Sequence, residues 1–179
     1  MDIFLEHIVK KKKDTIDRVF TMVIIAIVIA VTLLLFSLNL GSVSEYRFVL
    51  MAGVWYGAYM LIRRRRLEYE YSFTNGELDV DVIRARRKRY HAVSVKAKEF
   101  TVCANIFDED HKEQYLNVTG LKRQYEMVST TRSRDIYFAD FRKNGERTRL
   151  LFEPTKKMLE GMKKYNPARV YIKEEKRFE

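Results

Sequence analysis

From Val19 to Leu40 the chain runs VFTMVIIAIVIAVTLLLFSLNL, 22 positions without a charged side chain. A helix of that length measures about 33 Å and can cross a hydrocarbon core of about 30 Å. No polar face recurs at helical spacing, so the pattern predicts a membrane span. A cleaved signal peptide is the alternative, since Ser42-Val43-Ser44 places small residues after a basic start. The apolar run exceeds the roughly 7–15 residues of a signal core and a second apolar segment follows, so the span is expected to be retained. That second segment, Phe48 to Ile62, extends to 46–62 with Tyr46 and Arg47. It is shorter and more aromatic. Gly53 and Gly57 form a GxxxG that suits close packing against the first helix. The expectation is a transmembrane hairpin over 19–62, with helices at 19–40 and 46–62. A re-entrant second segment is the alternative. Ahead of it, Phe4, Leu5, Ile8 and Val9 share a helical face. Residues 1–18 therefore predict a short amphipathic basic helix on the membrane surface.

After Arg66 the period changes to two. Leu67, Tyr69, Tyr71 and Phe73 alternate with polar residues, Asn75-Gly76 intervenes, and Leu78, Val80 and Val82 resume the alternation. Asn-Gly between alternating runs predicts a hairpin with a type I′ turn, because both central residues need positive φ. A two-residue turn sets Phe73 opposite Leu78, Tyr71 opposite Val80 and Tyr69 opposite Val82, with every apolar side chain on one face. Asn144-Gly145 repeats the device between 136–143 and 146–152, pairing Tyr137 with Phe152, Ala139 with Leu150 and Asp140 with Arg149. Strands are expected at 90–97, 99–106, 114–119 and 125–131, with turns at Asp108-Glu109-Asp110 and Lys122-Arg123. Pro154 and Thr155 open a helix over 155–165 that puts Met158, Leu159, Met162 and Tyr165 on one face.

Hairpin strands followed by one amphipathic C-terminal helix resemble the pleckstrin-homology-like domains of bacteria. The segments LEYEYSFTNGELDVDVIRARRKR (67–89) and FADFRKNGERTRLLFEPTKKMLEGMKKYNPARVYI (138–172) are similar to a family of small two-span bacterial membrane proteins whose domain has no known function. The resemblance implies a small β-barrel or sandwich capped by a helix and brings no ligand with it. The fold class is thus an α+β membrane protein. An N-terminal two-helix transmembrane hairpin precedes a mostly antiparallel pleckstrin-like β domain over 63–172, closed by a C-terminal helix and followed by a charged tail at 173–179.

Charge then orients the chain. Lys10, Lys11, Lys12 and Lys13 precede the first span and Arg63, Arg64, Arg65 and Arg66 follow the second, which places both termini in the cytoplasm of a multi-pass protein of the cell membrane. Residues 63–179 hold 28 of the 34 Lys+Arg and 19 of the 24 Asp+Glu, so nearly all of the +10 charge belongs to the β domain. Its densest run is Arg84, Arg86, Arg87, Lys88 and Arg89. The first hairpin returns this run toward Arg63–Arg66 and Lys10–Lys13, a juxtamembrane cluster suited to an anionic phospholipid surface at about 1 kcal/mol per base. Nucleic acid offers the same phosphates, but the alternation commits Tyr69, Tyr71 and Phe73 to the buried face, and no nucleic acid partner is expected. Glu68, Glu70, Asp79 and Asp81 share the outer face of the first hairpin and are expected to be solvated or salt-bridged rather than metal-binding.

One cysteine, Cys103, excludes a disulfide framework and a thiolate metal site. No phosphate loop, nucleophile elbow or HExxH occurs, so no catalytic residue, metal or cofactor is assigned and the chain is expected not to be an enzyme. The partners expected are anionic lipid, with a membrane protein or a second copy as the other class. In that second class the chain is an accessory subunit of a transport or envelope-synthesis complex, docked through its hairpin.

Overall fold

The computed structural model describes residues 4–13, 15–37 and 45–173. Residues 41–44 of the expected inter-helix loop, and the tail after Lys173, lie outside the described residues. Among the described residues eight strands form two four-stranded sheets. In the first, β1 (Phe4–Lys10), β2 (Leu67–Thr74), β3 (Glu77–Arg84) and β4 (Lys88–Lys96) lie in that order, all antiparallel. In the second, the order is β5 (Val102–Asn105), β7 (Tyr137–Lys143), β8 (Glu146–Phe152), β6 (Leu121–Met127).

Both Asn-Gly hairpins take the predicted register. Phe73 faces Leu78, Tyr71 faces Val80 and Tyr69 faces Val82 in one, and Tyr137, Ala139 and Asp140 face Phe152, Leu150 and Arg149 in the other. Asn75 and Asn144 sit at φ 49° and 53°, and Gly76 and Gly145 at φ 93° and 80°, as that turn requires. The two sheets face each other across one core, with Tyr69, Tyr71, Phe73, Leu78, Val80, Val93 and Val95 meeting Cys103, Ala139, Phe141, Leu150 and Phe152. The helix α4 (Lys156–Tyr165) is capped by the Thr155 hydroxyl, which accepts from the Met158 amide at 3.3 Å. It buries Met158, Leu159 and Met162 at the end of the sandwich nearest the β2–β3 turn. Gly161 permits that seat, since a Cβ there would lie 2.9 Å from the Phe73 ring.

The largest departure from the sequence reading is at the N-terminus. Phe4–Lys10 is a strand, not an amphipathic helix, and pairs along its whole length with β2. Leu5, His7 and Val9 stand opposite Phe73, Tyr71 and Tyr69, while Phe4 and Ile8 point outward and are exposed. Four apolar positions satisfied a helical template locally, and the open edge of β2 decided otherwise by giving Leu5 and Val9 a core to enter. Three further expectations are corrected. Residues 114–119 hold no strand but the end of a short helix, α3 (Lys112–Leu116), and Lys122-Arg123 lies within β6, at a register irregularity rather than a turn. The strand β6 ends at Met127 and runs parallel to β8, so the second sheet is mixed.

Between β1 and β2 the chain makes α1 (Thr15–Ser37) and α2 (Arg47–Arg64). They pack antiparallel. Arg65 pairs with Asp17 at 2.9 Å and lies over the Phe20 ring at one end, and the Arg47 guanidinium lies over the Phe36 ring at the other. The helical pair is thus an insertion between two adjacent strands. By length and composition α1 is apolar enough to cross a membrane, and among the described residues it is the one helix that is. The 18-residue α2 carries Arg47, Arg63 and Arg64. Val28 is the buried residue of α1 and Ala58 that of α2. Gly53 and Gly57 face elsewhere: a Cβ at either would meet nothing within 4 Å, so the close approach expected of the GxxxG is not made to α1.

Candidate functional site

Three basic segments converge where the helices join the sheet. The antiparallel pairing sets Lys10 beside Glu68 and Arg84 beside Leu67, and backbone bonds fix the neighbours: the Lys11 amide donates to the Leu67 carbonyl at 3.0 Å and the Ala85 amide to the Arg66 carbonyl at 2.9 Å. The turn 85–87 holds two consecutive non-glycine residues, Ala85 and Arg86, in the left-handed region at φ 52° and 57°. Such residues cost on the order of 1 kcal/mol each and persist where surrounding contacts fix them. Here those contacts are the Arg66 carbonyl and Glu68, which takes the Arg86 guanidinium at 2.9 Å.

Lys10, Lys11, Lys13, Arg65, Arg66 and Arg86 line one cleft of about 180 Å³, with Asp17, Thr21, Ile62, Leu67 and Glu68. The other basic residues singled out in the sequence lie elsewhere. Lys12 donates its amide to the Ser129 carbonyl, Arg63 lies against Tyr59, Arg84 stacks over Tyr90, and Arg64, Arg87 and Lys88 do not line the cleft. Arg89 points along the outer face of the first sheet. It sits 2.6 Å from Glu70 and 4.0 Å from Asp81. The acidic outer face is therefore answered in part by the basic run and in part by its neighbours on β4. Glu68 is held by Arg86, Glu70 by Arg89 and Asp81 by His91 at 2.9 Å, and Asp79 accepts from the Ser94 hydroxyl. Sequence reasoning missed Asp17 and Thr21 as cleft residues. Their signal was faint: one acid and one hydroxyl a turn apart at the foot of an otherwise apolar helix.

A family model described as Bacterial PH-like domain (DUF6106) matches residues 1–172. The chain belongs to this family. The match covers β1, both inserted helices and α4, so the helical pair is part of the DUF6106 pattern and not an appendage to it. The family's function is unknown. No curated protein and no solved structure matches the chain significantly.

In this DUF6106 domain the Cys103 thiol and the Glu70 carboxyl lie inside the fold. Burial pushes the Cys103 thiol up to about 12, and its strand edge is covered by backbone bonds to Arg169 and Tyr171. Among the described residues no group of three or more His, Cys, Asp or Glu side chains is arranged to hold a metal. Glu70 is 3% exposed. Its carboxyl is raised above the ordinary 4.5, first by burial and then by its hydrogen bond to Glu6, while Arg89 opposes the shift and the charges of Glu6 and Asp81 add to it. A raised carboxyl stays protonated in the fold after the unfolded chain has released its proton. Stability is therefore lost as pH rises from about 4.5 through the raised value. Glu70→Gln is expected to remove that slope and to leave the domain no less stable at neutral pH. Thermal midpoints of both proteins across roughly pH 4–8 measure it, and an unchanged slope would assign the titration elsewhere.

Proposed function

We propose that this protein is a non-enzymatic, two-span membrane protein with both termini in the cytoplasm, presenting its PH-like domain to the inner leaflet, where basic residues bind anionic lipid. The observation that carries the reading is the convergence of Lys10–Lys13, Arg63–Arg66 and the 84–89 turn at the end of the sandwich from which the helices leave. Topology supports the second span. Because β1 and β2 are neighbours in one sheet, a chain that leaves through α1 must come back through α2 on the same side. Length supports the first: 23 residues rise about 34 Å, and only Val28 among them is buried by protein. A cleaved signal is disfavoured, since cleavage after Ser44 would also remove β1 from the sheet.

The test uses a chain in which Asn-Gly replaces residues 12–66, joining β1 directly to β2. Its remaining bases at this end are Lys10, Lys11 and those of the 84–89 turn. It is expected to sediment with vesicles containing phosphatidylglycerol, not with neutral ones, and to be released by salt. Neutralising Arg84, Arg87 and Lys88, which hold no ion pair among the described residues, should weaken binding by about 1 kcal/mol each. A folded chain that ignores anionic vesicles would end the lipid reading. A second reading, an accessory subunit docked through the helical pair, is favoured by one observation: Gly53 and Gly57 lie on a face of α2 that α1 does not cover.

A further inference from the structure

We infer that the cleft at the foot of the helices is a discrete site for one lipid headgroup carrying two phosphate charges, an inference that rests on the anionic-lipid reading above. Both carboxylates in the cleft are already taken, Asp17 by Arg65 at 2.9 Å and Glu68 by Arg86 at 2.9 Å. Lys10, Lys13 and Arg66 line the same cleft and have no ion pair among the described residues. Three uncompensated cations around about 180 Å³ repel one another, and an anion between them relieves that repulsion. A singly charged phosphodiester would leave two of them unanswered. A headgroup with two phosphates answers two, and Arg66 supplies a fork that can take one phosphate through two parallel hydrogen bonds.

Shape agrees with charge. At about 180 Å³ the cleft has room for phosphate oxygens with their bridging glycerol. Its wall toward the helices is Thr21 and Ile62, beyond which the side chains of α1 and α2 are largely uncovered by protein. Acyl chains leaving the headgroup on that side would lie along the helices. A basic pocket at the foot of membrane helices is a place where bis-phosphate lipids gain over a diffuse basic surface, because the charges are fixed at short range.

The full chain in mild detergent, titrated with cardiolipin, phosphatidylglycerol or phosphatidylcholine and followed by native mass spectrometry, tests the site. One cardiolipin per chain is expected, held about tenfold more tightly than phosphatidylglycerol. The triple variant Lys10→Gln, Lys13→Gln, Arg66→Gln should lower cardiolipin affinity by about a hundredfold, at about fivefold per base. Should that variant fail to fold, Lys13→Glu alone, at an exposed position, is expected to cost about 25-fold. Lys163→Gln with Lys164→Gln, exposed on α4 at the other end of the sandwich, should leave affinity within about twofold. Equal binding of cardiolipin and phosphatidylglycerol, both above phosphatidylcholine, would overturn the discrete site and leave the general lipid reading standing. The same loss in the Lys163 and Lys164 variant would do likewise. Displacement by millimolar inorganic phosphate would assign the cleft to a soluble anion and overturn the lipid site. No anionic preference at all would overturn both.

Discussion

A chain cut to begin at Leu67 is expected to lose its fold, while one in which Asn-Gly replaces residues 12–66 is expected to fold as a soluble domain. The cut chain keeps every strand that the sequence marks clearly, but it lacks β1. That strand supplies Val9, 8% exposed, and half-buried Leu5 to the core beside Tyr69 and Phe73. At about 1.5–3 kcal/mol for a fully buried apolar side chain, and about half that for Leu5, their loss costs about 2–4 kcal/mol. A small domain has about 5–15 kcal/mol in all. The cut also bares the edge of β2, eight residues of alternating Tyr, Glu and Phe that would pair with another copy. The replacement avoids both defects. Lys10 already faces Glu68 and the Lys11 amide already bonds the Leu67 carbonyl, so Lys11 and Leu67 form the closing pair of a two-residue hairpin. Urea unfolding and gel filtration of the two chains decide the matter. Equal midpoints would show that β1 contributes nothing.

The difference between those two chains reflects which features a sequence can carry locally. The hairpins at Asn75-Gly76 and Asn144-Gly145 were legible because turn and alternation agree within sixteen residues, and the register follows from the turn alone. The helix α4 was legible from its cap and one apolar face. For β1 the deciding partner lies 60 residues downstream, beyond two helices, and both templates fitted Phe4, Leu5, Ile8 and Val9 nearly as well. The parallel pairing of β6 with β8 is likewise a long-range outcome that no turn announces. At the candidate site, the return of Arg84–Arg89 toward Arg63–Arg66 followed from hairpin geometry. Which of those bases are already spent on carboxylates did not, because Arg89 and His91 reach Glu70 and Asp81 across a bulge at Val80/Asp81.

The same distinction applies to the pair the second hairpin places face to face. Asp140 opposite Arg149 was read from register, yet its neighbours turn an ordinary cross-strand pair into the anchor of residues 106–120. Arg149 is 1% exposed. Its Nε donates to Asp140 Oδ1 at 2.6 Å and its Nη2 to Oδ2 at 2.9 Å, while the carbonyls of Gln114 and Tyr115 accept from the same guanidinium. The guanidinium lies over both the Tyr115 and Phe138 rings, 5.3 and 5.2 Å from their centroids. Arg147 adds bonds to Asp140, Thr119 and Asn117. Together these bonds hold α3 and its flanks over Val102, Ala104, Phe138 and Leu151, the second apolar face of the mixed sheet. Asp140→Ala leaves a buried guanidinium with neutral acceptors only and is expected to cost about 3–5 kcal/mol in unfolding free energy. Asp140→Asn keeps one acceptor oxygen and should cost less. Asp140→Leu with Arg149→Met removes both charges and should recover part of the global loss. It should not recover the loop, whose carbonyls at Gln114 and Tyr115 then have water instead of Arg149. Amide exchange over 112–120 is therefore expected to rise in the double variant even where the urea midpoint is restored. Restoration of both would show that apolar packing alone holds the loop, and that the ion pair merely occupies the space beneath it.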